Sequence, residues 1–442
     1  MKISKIWYFI RESIWFIPFL YGFISIILAI GSYYLDNYIA HHPHLYKKIP
    51  IIFLADIDLA LTVLSSIATA LLTMTTITFS SIMIVLTTFL SQFSPRTLQN
   101  FIADSPTQRV LAVFVGGFIY TVILLLVTRE TKVHQLFILP TFAVIYALIC
   151  LIFFVFFIHH VSRWIQVSNL IFDITTNALK ILKNHFIDKK NVHPDAPWED
   201  WEYPEVLQST PLIVYPEKPG YLQSIDTNGL LKQATLDNSI VRVEARVGEF
   251  VDIDSPLLSI WKMEEKEIAH NYLRFISLGL ERRTVQDIEF GITKLVEIAL
   301  RAVSPAINDP NTAINCIAQI GKILAVMSCK HLPRPFLNDE NRSLRIIIDQ
   351  PDFKEYLYKS FYQIRHYGKD DISIISSILQ ALIHIATKSD TETKKEVWEF
   401  AQYIVEGINR DAILSLDKHY LNGRLHELAK QTGHRKEASL LT

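Results

Sequence analysis

Cysteine is scarce: three in 442 residues, with no CxxC pair. Cys150 sits inside an apolar run, and Cys316 and Cys329 fall in or near expected helices. This excludes a disulfide framework and suits a reducing compartment. A charge surplus is missing too. The formal net charge is −1, and neither half carries the excess of one sign that draws a protein to nucleic acid. Charge of any kind is rare at the start. Of 43 basic and 44 acidic side chains, only 9 and 6 fall in residues 1–160. The rest of the chain has an ordinary charged composition, long enough to bury cores of its own. No nucleophile elbow, P-loop, dinucleotide fingerprint, helical zinc-ligand pair or kinase signature occurs, so neither catalysis nor a cofactor is expected.

What the first 160 residues do contain is four long apolar runs. The opening MKISKIWYFIRESIWF has a basic leader, but the stretch Phe16–Tyr34 behind it is too long for a signal-peptide core. No small-x-small cleavage site follows, so a retained membrane helix over residues 13–35 is expected, ending in Tyr33 and Tyr34. Leu59–Leu90 is the second run, without a charge across 32 positions. A helix of that length spans about 48 Å against a hydrocarbon core of about 30 Å, so it must tilt, break or project. Val110–Thr128 and Leu136–Ile158 complete the set. Four passes put both termini on one side. Lys and Arg counts in the flanks barely choose which, while cysteine usage and domain size favour a cytoplasmic C-terminus.

Beyond the spans, His159 to about Asn184 reads as a helix leaving the membrane. A proline-rich linker follows to residue 219, with Trp198 and Trp201 as docking anchors. Periodicity of two marks residues 220–262 as a small β unit, with a turn at Val247-Gly248-Glu249. Helical patterns cover residues 264–280, 285–302 and 310–328. A lone strand, Leu344–Asp349, precedes helices near 352–367, 371–387, 391–416 and 419–432. The expected fold is thus a four-span helical membrane domain (1–160), an exit helix and linker (161–219), a barrel-like β unit (220–262) and a helical domain (263–442).

The second run carries the most chemistry. Thr62, Ser66, Thr69, Thr73, Thr76, Ser80, Thr87 and Ser91 recur about every 3.6 residues, so their hydroxyls line one helix face. Such a face can line a permeation path, offering dipoles without buried charge. It can equally be a contact between packed helices, because small hydroxyl residues allow close approach. Asp56 and Asp58 stand at an outer mouth, where they either attract cations or complement the helix dipole. Gln92, Arg96 and Arg109 lie at the inner interface, where contact with lipid phosphate is expected of the arginines. Ser94-Pro95, Ser105-Pro106, Ser304-Pro305 and Asp309-Pro310 are cap-plus-proline helix starts. Around the last, Asn308 and Asp309 belong to a tight loop that is either a helix corner or an anion cradle. His41, His42 and His44 have no cysteine or close carboxylate partner, so no metal is expected. Lys262-Met263 is similar to the modified lysine context of biotinyl carrier domains. Trp261 and the short spacing from Gly248 argue against that modification.

Three stretches together resemble a bacterial membrane-protein family known as domain of unknown function 2254. They are FSSIMIVLTTFLSQFSPRTLQNF (79–101), GYLQSID (220–226) with VGEFVDIDSPL (247–257), and EFGITKLVEIALRAVSPAINDPNTA (289–313). The resemblance implies a bacterial inner-membrane protein and no particular activity. Expected partners are the lipid bilayer, further copies of the chain in a homo-oligomer, and an unidentified cytoplasmic ligand or protein. The leading expectation is a channel or transport-like protein with the hydroxyl-lined helix at its centre. The alternative is a membrane-anchored regulatory module without transport.

Overall fold

The computed structural model describes residues 16–42, 44, 48–92, 105–128, 136–164, 166–186, 188–189, 209–262, 265–282, 287–332, 336–409 and 413–435. The chain divides into two compact units, residues 1–166 and 167–442.

The first unit contains α1 (Phe16–Ala40), α2 (Ile57–Gln92), α3 (Ser105–Thr128) and α4 (Leu139–Trp164). Four of its helices are long and apolar enough to cross a membrane. Each runs past its apolar stretch at one end or both, because helices continue into polar flanks until a cap or loop stops them, although α4 starts at Leu139 rather than Leu136. At 36 residues α2 is unbroken, about 54 Å long. α3 is the central helix, packing against α1, α2 and α4. Gly116 and Gly117 make this close approach feasible. A β-carbon at Gly116 would lie 2.7 Å from Ser25 Oγ, and one at Gly117 the same distance from Tyr146 Cε1. Small residues at crossings are how helices pack in lipid, where burial of apolar surface drives nothing. The core holds Ala29, Leu64, Tyr120, Leu124, Leu139 and Ala143. Phe19, Ile152 and Val155 face outward and exposed, as a surface solvated by acyl chains requires. One end is tied by polar contacts. Asp36 accepts from Ile138 N at 2.8 Å, Thr141 Oγ1 donates to Phe53 O at 2.9 Å, and Ala55 bridges Phe137.

The second unit begins with α5 (Val167–His185). The expected exit helix is therefore interrupted, α4 ending at Trp164. Next come β1 (Leu212–Val214), β2 (Gly220–Ile225), α6 (Thr227–Leu236), β3 (Ile240–Val243), β4 (Phe250–Val251) and β5 (Leu258–Trp261). They are followed by α7 (Lys266–His270), β6 (Ile276–Gly279), α8 (Ile288–Ala302), α9 (Pro310–Met327), β7 (Phe336–Asn338) and β8 (Leu344–Ile348). Helices α10 (Phe353–Gly368), α11 (Ile372–Lys388), α12 (Thr391–Glu406) and α13 (Ser415–Thr432) end the order.

Several expectations need correcting. Among the described residues the strands form two open sheets, in the orders β1-β5-β3-β8-β7 and β4-β2-β6, rather than the expected barrel-like unit. Strand β8 is not alone: it runs parallel to β3 and antiparallel to β7. A helix, α6, interrupts the period-two region because Asp226 caps it through Gly229 N at 3.0 Å. Residues 264–280, expected as one helix, hold α7, a 3-10 turn and β6, which pairs with β2. β1 lies inside the expected linker, paired with β5. The helix expected to 416 stops at Glu406, with Gly407 at its C-cap. Trp198 and Trp201 lie outside the described residues. Both sheets and α6 share one core, including Leu222, Leu230, Val241, Leu258, Tyr272 and Ile346.

The helical layer is close-packed where α9 meets α11. A β-carbon at Gly321 would lie 2.8 Å from the Ala381 β-carbon. Gly321→Ala should therefore cost about 1–2 kcal/mol by overpacking, despite its better helix propensity. Chemical denaturation of the full chain, followed by hydrogen exchange in α9 and α11, checks this. Unchanged protection would show that the two helices part freely.

Candidate functional site

The hydroxyl face of α2 is the first candidate. Thr62, Ser66, Thr69, Thr73, Thr76, Ser80 and Thr87 are all exposed, whereas Ala60, Leu64, Ala68, Leu71, Thr78 and Val85 are buried. The polar line therefore points away from its own bundle. It is not the surface on which α2 packs against α3 and α4. The side chains of Ser91 and Gln92, and all of Arg96, lie outside the described residues.

Six of these seven hydroxyl protons, all but that of Ser80, are already in use. Thr62 donates to Asp58 O at 2.8 Å, Ser66 to Thr62 O at 2.7 Å and Thr69 to Ser65 O at 2.9 Å. Thr73 donates to Thr69 O at 2.9 Å, Thr76 to Leu72 O at 2.9 Å and Thr87 to Met83 O at 3.0 Å. Each bond reaches four residues back along the same helix. A hydroxyl has one proton and two lone pairs, so what these side chains turn outward is accepting oxygen. Beside them lies an open groove of about 670 Å³, lined by Ser65, Ser66, Thr69, Thr73, Ile77 and Phe154 among others.

At the start of α2, Asp56 Oδ1 accepts from Leu59 N at 2.9 Å, an N-cap that satisfies one open amide. Asp58 is exposed in the first turn of α2, and Arg109 is exposed in the first turns of α3. Among the described residues His41 and His42 belong to no cluster of three or more His, Cys, Asp or Glu side chains; their Nδ1 atoms contact Asn37 O and Tyr38 O at the end of α1.

In the second unit the Asn308-Asp309 loop is a hydrogen-bonded corner. Asn308, at φ 50°, donates its amide to Ser304 O, and Asp309 its own to Ala302 O. The Asp309 carboxylate caps α9 through Thr312 N at 3.2 Å and Thr312 Oγ1 at 2.6 Å. These amides already have acceptors.

A charged cluster absent from the sequence reading lies where the turn after β3, the residues before α8, and helices α8 and α10 come together. Arg246 Nη1 donates to both Glu355 oxygens at 2.8 and 3.0 Å. Lys359 bridges Glu355 at 2.8 Å and Glu289 at 3.1 Å. Arg282 pairs with Asp287 and stands 3.7 Å from Glu289. Behind them Lys294 is 2% exposed, its ammonium 4.6 Å above the Phe290 ring. Burial pushes its pKa down to about 8, against the opposing field of Asp287. Burial pushes the Asp287 carboxyl up, the Arg282 partner opposing it. Gly248, at φ 95°, sits on this cluster, and any β-carbon there would overlap Asp287 and Arg282. The sequence did hold one signal: Lys294 occupies the apolar face of α8, four residues from Phe290 and four from Ile298. The cluster thus gathers Gly248 and Glu289 from two separate stretches, and Gly248 N also donates to Leu222 O in β2.

Four spanning-length apolar helices followed by an α+β unit define a predicted multi-pass membrane protein with a large folded region outside the spans. The chain belongs to the family described as Predicted membrane protein (DUF2254), whose profile matches residues 11–384. Uncharacterized proteins of Mycobacterium bovis and Mycobacterium tuberculosis are 28% identical to it over 334 residues. That match covers 73% of this chain and 63% of each relative, so the chain spans less than two thirds of their length. No solved structure matches it.

Proposed function

We propose that this chain assembles with copies of itself in the bacterial inner membrane and conducts small cations along the hydroxyl face of α2. The observation that carries the reading is the outward direction of that face. Seven hydroxyl residues are exposed on α2 while its opposite side is buried. Acyl chains have no use for such a line of dipoles, whereas a water-filled path does. Because six of the seven protons are spent inside the helix, all but that of Ser80, the outward oxygens are acceptors, which suit cations rather than anions. The groove beside Thr69 and Thr73 leaves room for side chains of a neighbouring copy. The 54 Å helix, longer than the core by about 24 Å, would extend the path beyond the bilayer. In this arrangement the C-terminal unit is cytoplasmic and assembles or gates the pore.

Purified protein in potassium-loaded liposomes tests this. Wild type should dissipate a potassium gradient, and Thr69→Leu/Thr73→Leu should slow it at least about tenfold by replacing acceptors with methyls. Wild-type vesicles that hold their gradient would remove the proposal. A second reading would then stand, in which the helices only anchor a regulatory module that binds an unidentified cytoplasmic ligand or protein. The observation favouring it is a large cleft in the C-terminal unit.

A further inference from the structure

Helices α9, α11 and α13 enclose a cleft of about 920 Å³, within the size range of small-molecule sites. Its position follows from packing. Gly321 and Ala381 bring α9 and α11 into contact, and α13 packs on α11 and α12, burying Leu421, Leu425, Leu428 and Ala429. Leu416, Tyr420 and Arg424, spaced four apart, form the next ridge of α13 and overhang the gap. Ile314 and Ala318 of α9 and Ile372 of α11 give it an apolar floor.

The polar lining converges on one ridge of each helix. Ser376, Ser377, Gln380 and His384 of α11 face His419, Tyr420 and Arg424 of α13. Tyr420 is polarised by Arg424, whose Nη2 lies 3.4 Å from the phenol oxygen, and by Ser376. The local field is positive at the His384 end. Burial and then the cations Lys388 and Lys322 hold that imidazole below its ordinary pKa. Negative charge is present too: Asp417 lines the cleft, and Glu427 stands 3.7 Å from Arg424 on the solvent side. Of these charges, Arg424 and Asp417 line the cleft, and Lys322 and Lys388 act on His384 from outside the lining.

We propose that this cleft binds a small organic anion with an apolar body, its acid group held by Arg424 and the facing histidines, its body laid on Ile314, Ala318 and Leu416. The site is a separate element from the α2 face, and it stands whether or not the spans conduct. A planar guanidinium is suited to a carboxylate or phosphate, and an apolar pocket with few placed polar groups is the usual form of a ligand site.

The test uses the full chain in detergent and fluorine NMR of three probes. These are para-trifluoromethylbenzoate, the neutral para-trifluoromethylbenzyl alcohol, and trifluoroacetate, which has charge without a body. The benzoate should broaden at millimolar concentration, and the other two should not. Arg424→Gln should weaken benzoate binding at least about tenfold, the size of one lost charge-assisted pair. Ala318→Phe, which fills the floor without touching a charge, should abolish it. Both positions are partly or fully exposed, so folding is preserved, as unchanged circular dichroism would confirm. No benzoate broadening, equal binding of the alcohol, or binding that both variants leave intact would each overturn the proposal.

Discussion

Replacing Asp287 with alanine is expected to destabilise the C-terminal unit by about 3–5 kcal/mol. The carboxylate does three things at once. It caps α8 through Phe290 N at 2.8 Å, it pairs with Arg282, and its charge supports the buried Lys294. Removing it opens the cap and takes a counter-charge from Arg282, which keeps Glu289 at 3.7 Å, and from Lys294, which is 2% exposed. Losing a cap alone costs about 1 kcal/mol. The rest comes from charge left without its counter-charge in a place water reaches poorly. Asp287→Asn, which retains the cap and loses the charge, should fall between the two. Hydrogen exchange of α8 amides in the full chain reads the outcome locally, so that the membrane helices do not obscure it. Protection in the alanine variant equal to wild type would show that the carboxylate holds nothing.

Lys294 sets the second prediction, a pH dependence with a defined sign. Burial lowers its pKa to about 8 in the folded unit, against about 10.4 in an unfolded chain. Below pH 8 both states carry the proton and the cost of burying the charge is felt in full. Between the two values the unfolded state binds more protons, so this group makes stability rise with pH. Its contribution reaches about 2 kcal/mol by about pH 9.5. Cys316, Tyr272 and Tyr356 act in the opposite direction, because burial pushes each of them up. Lys294→Met isolates the lysine. The stability difference between variant and wild type should narrow by about 2 kcal/mol from about pH 7.5 to about pH 9.5 as the wild type gains what the variant never lost. Parallel pH profiles would mean that Lys294 keeps its proton throughout.

These residues also show where sequence reasoning reached its limit. The α2 hydroxyl line was legible because helical period is a local property, written in consecutive positions. Caps such as Asp56 and Asp309 were legible for the same reason, each bonding an amide three residues on. The Arg246–Glu355–Lys359–Glu289 chain was not, since Arg246 and Glu355 lie 109 positions apart. Nor could strand β8 be placed. Its burial on both faces matches a central parallel strand, but its partner β3 precedes it by about a hundred residues. Helix α6 was hidden inside a region whose flanks alternate with period two, and its Asp226 cap was the overlooked mark.

By itself, the sequence determined that this chain has four spanning-length apolar helices, that one carries hydroxyls along a single side, and that an α+β region follows them. Length, apolarity and period are sums over neighbours, and they need no knowledge of the rest of the molecule. Only the tertiary structure decided that the hydroxyl side turns away from its own bundle, that the strands make two open sheets, and that a cleft lies beneath α13. Those outcomes depend on which distant surfaces meet, and packing between remote segments is settled by shape and charge matched across the fold.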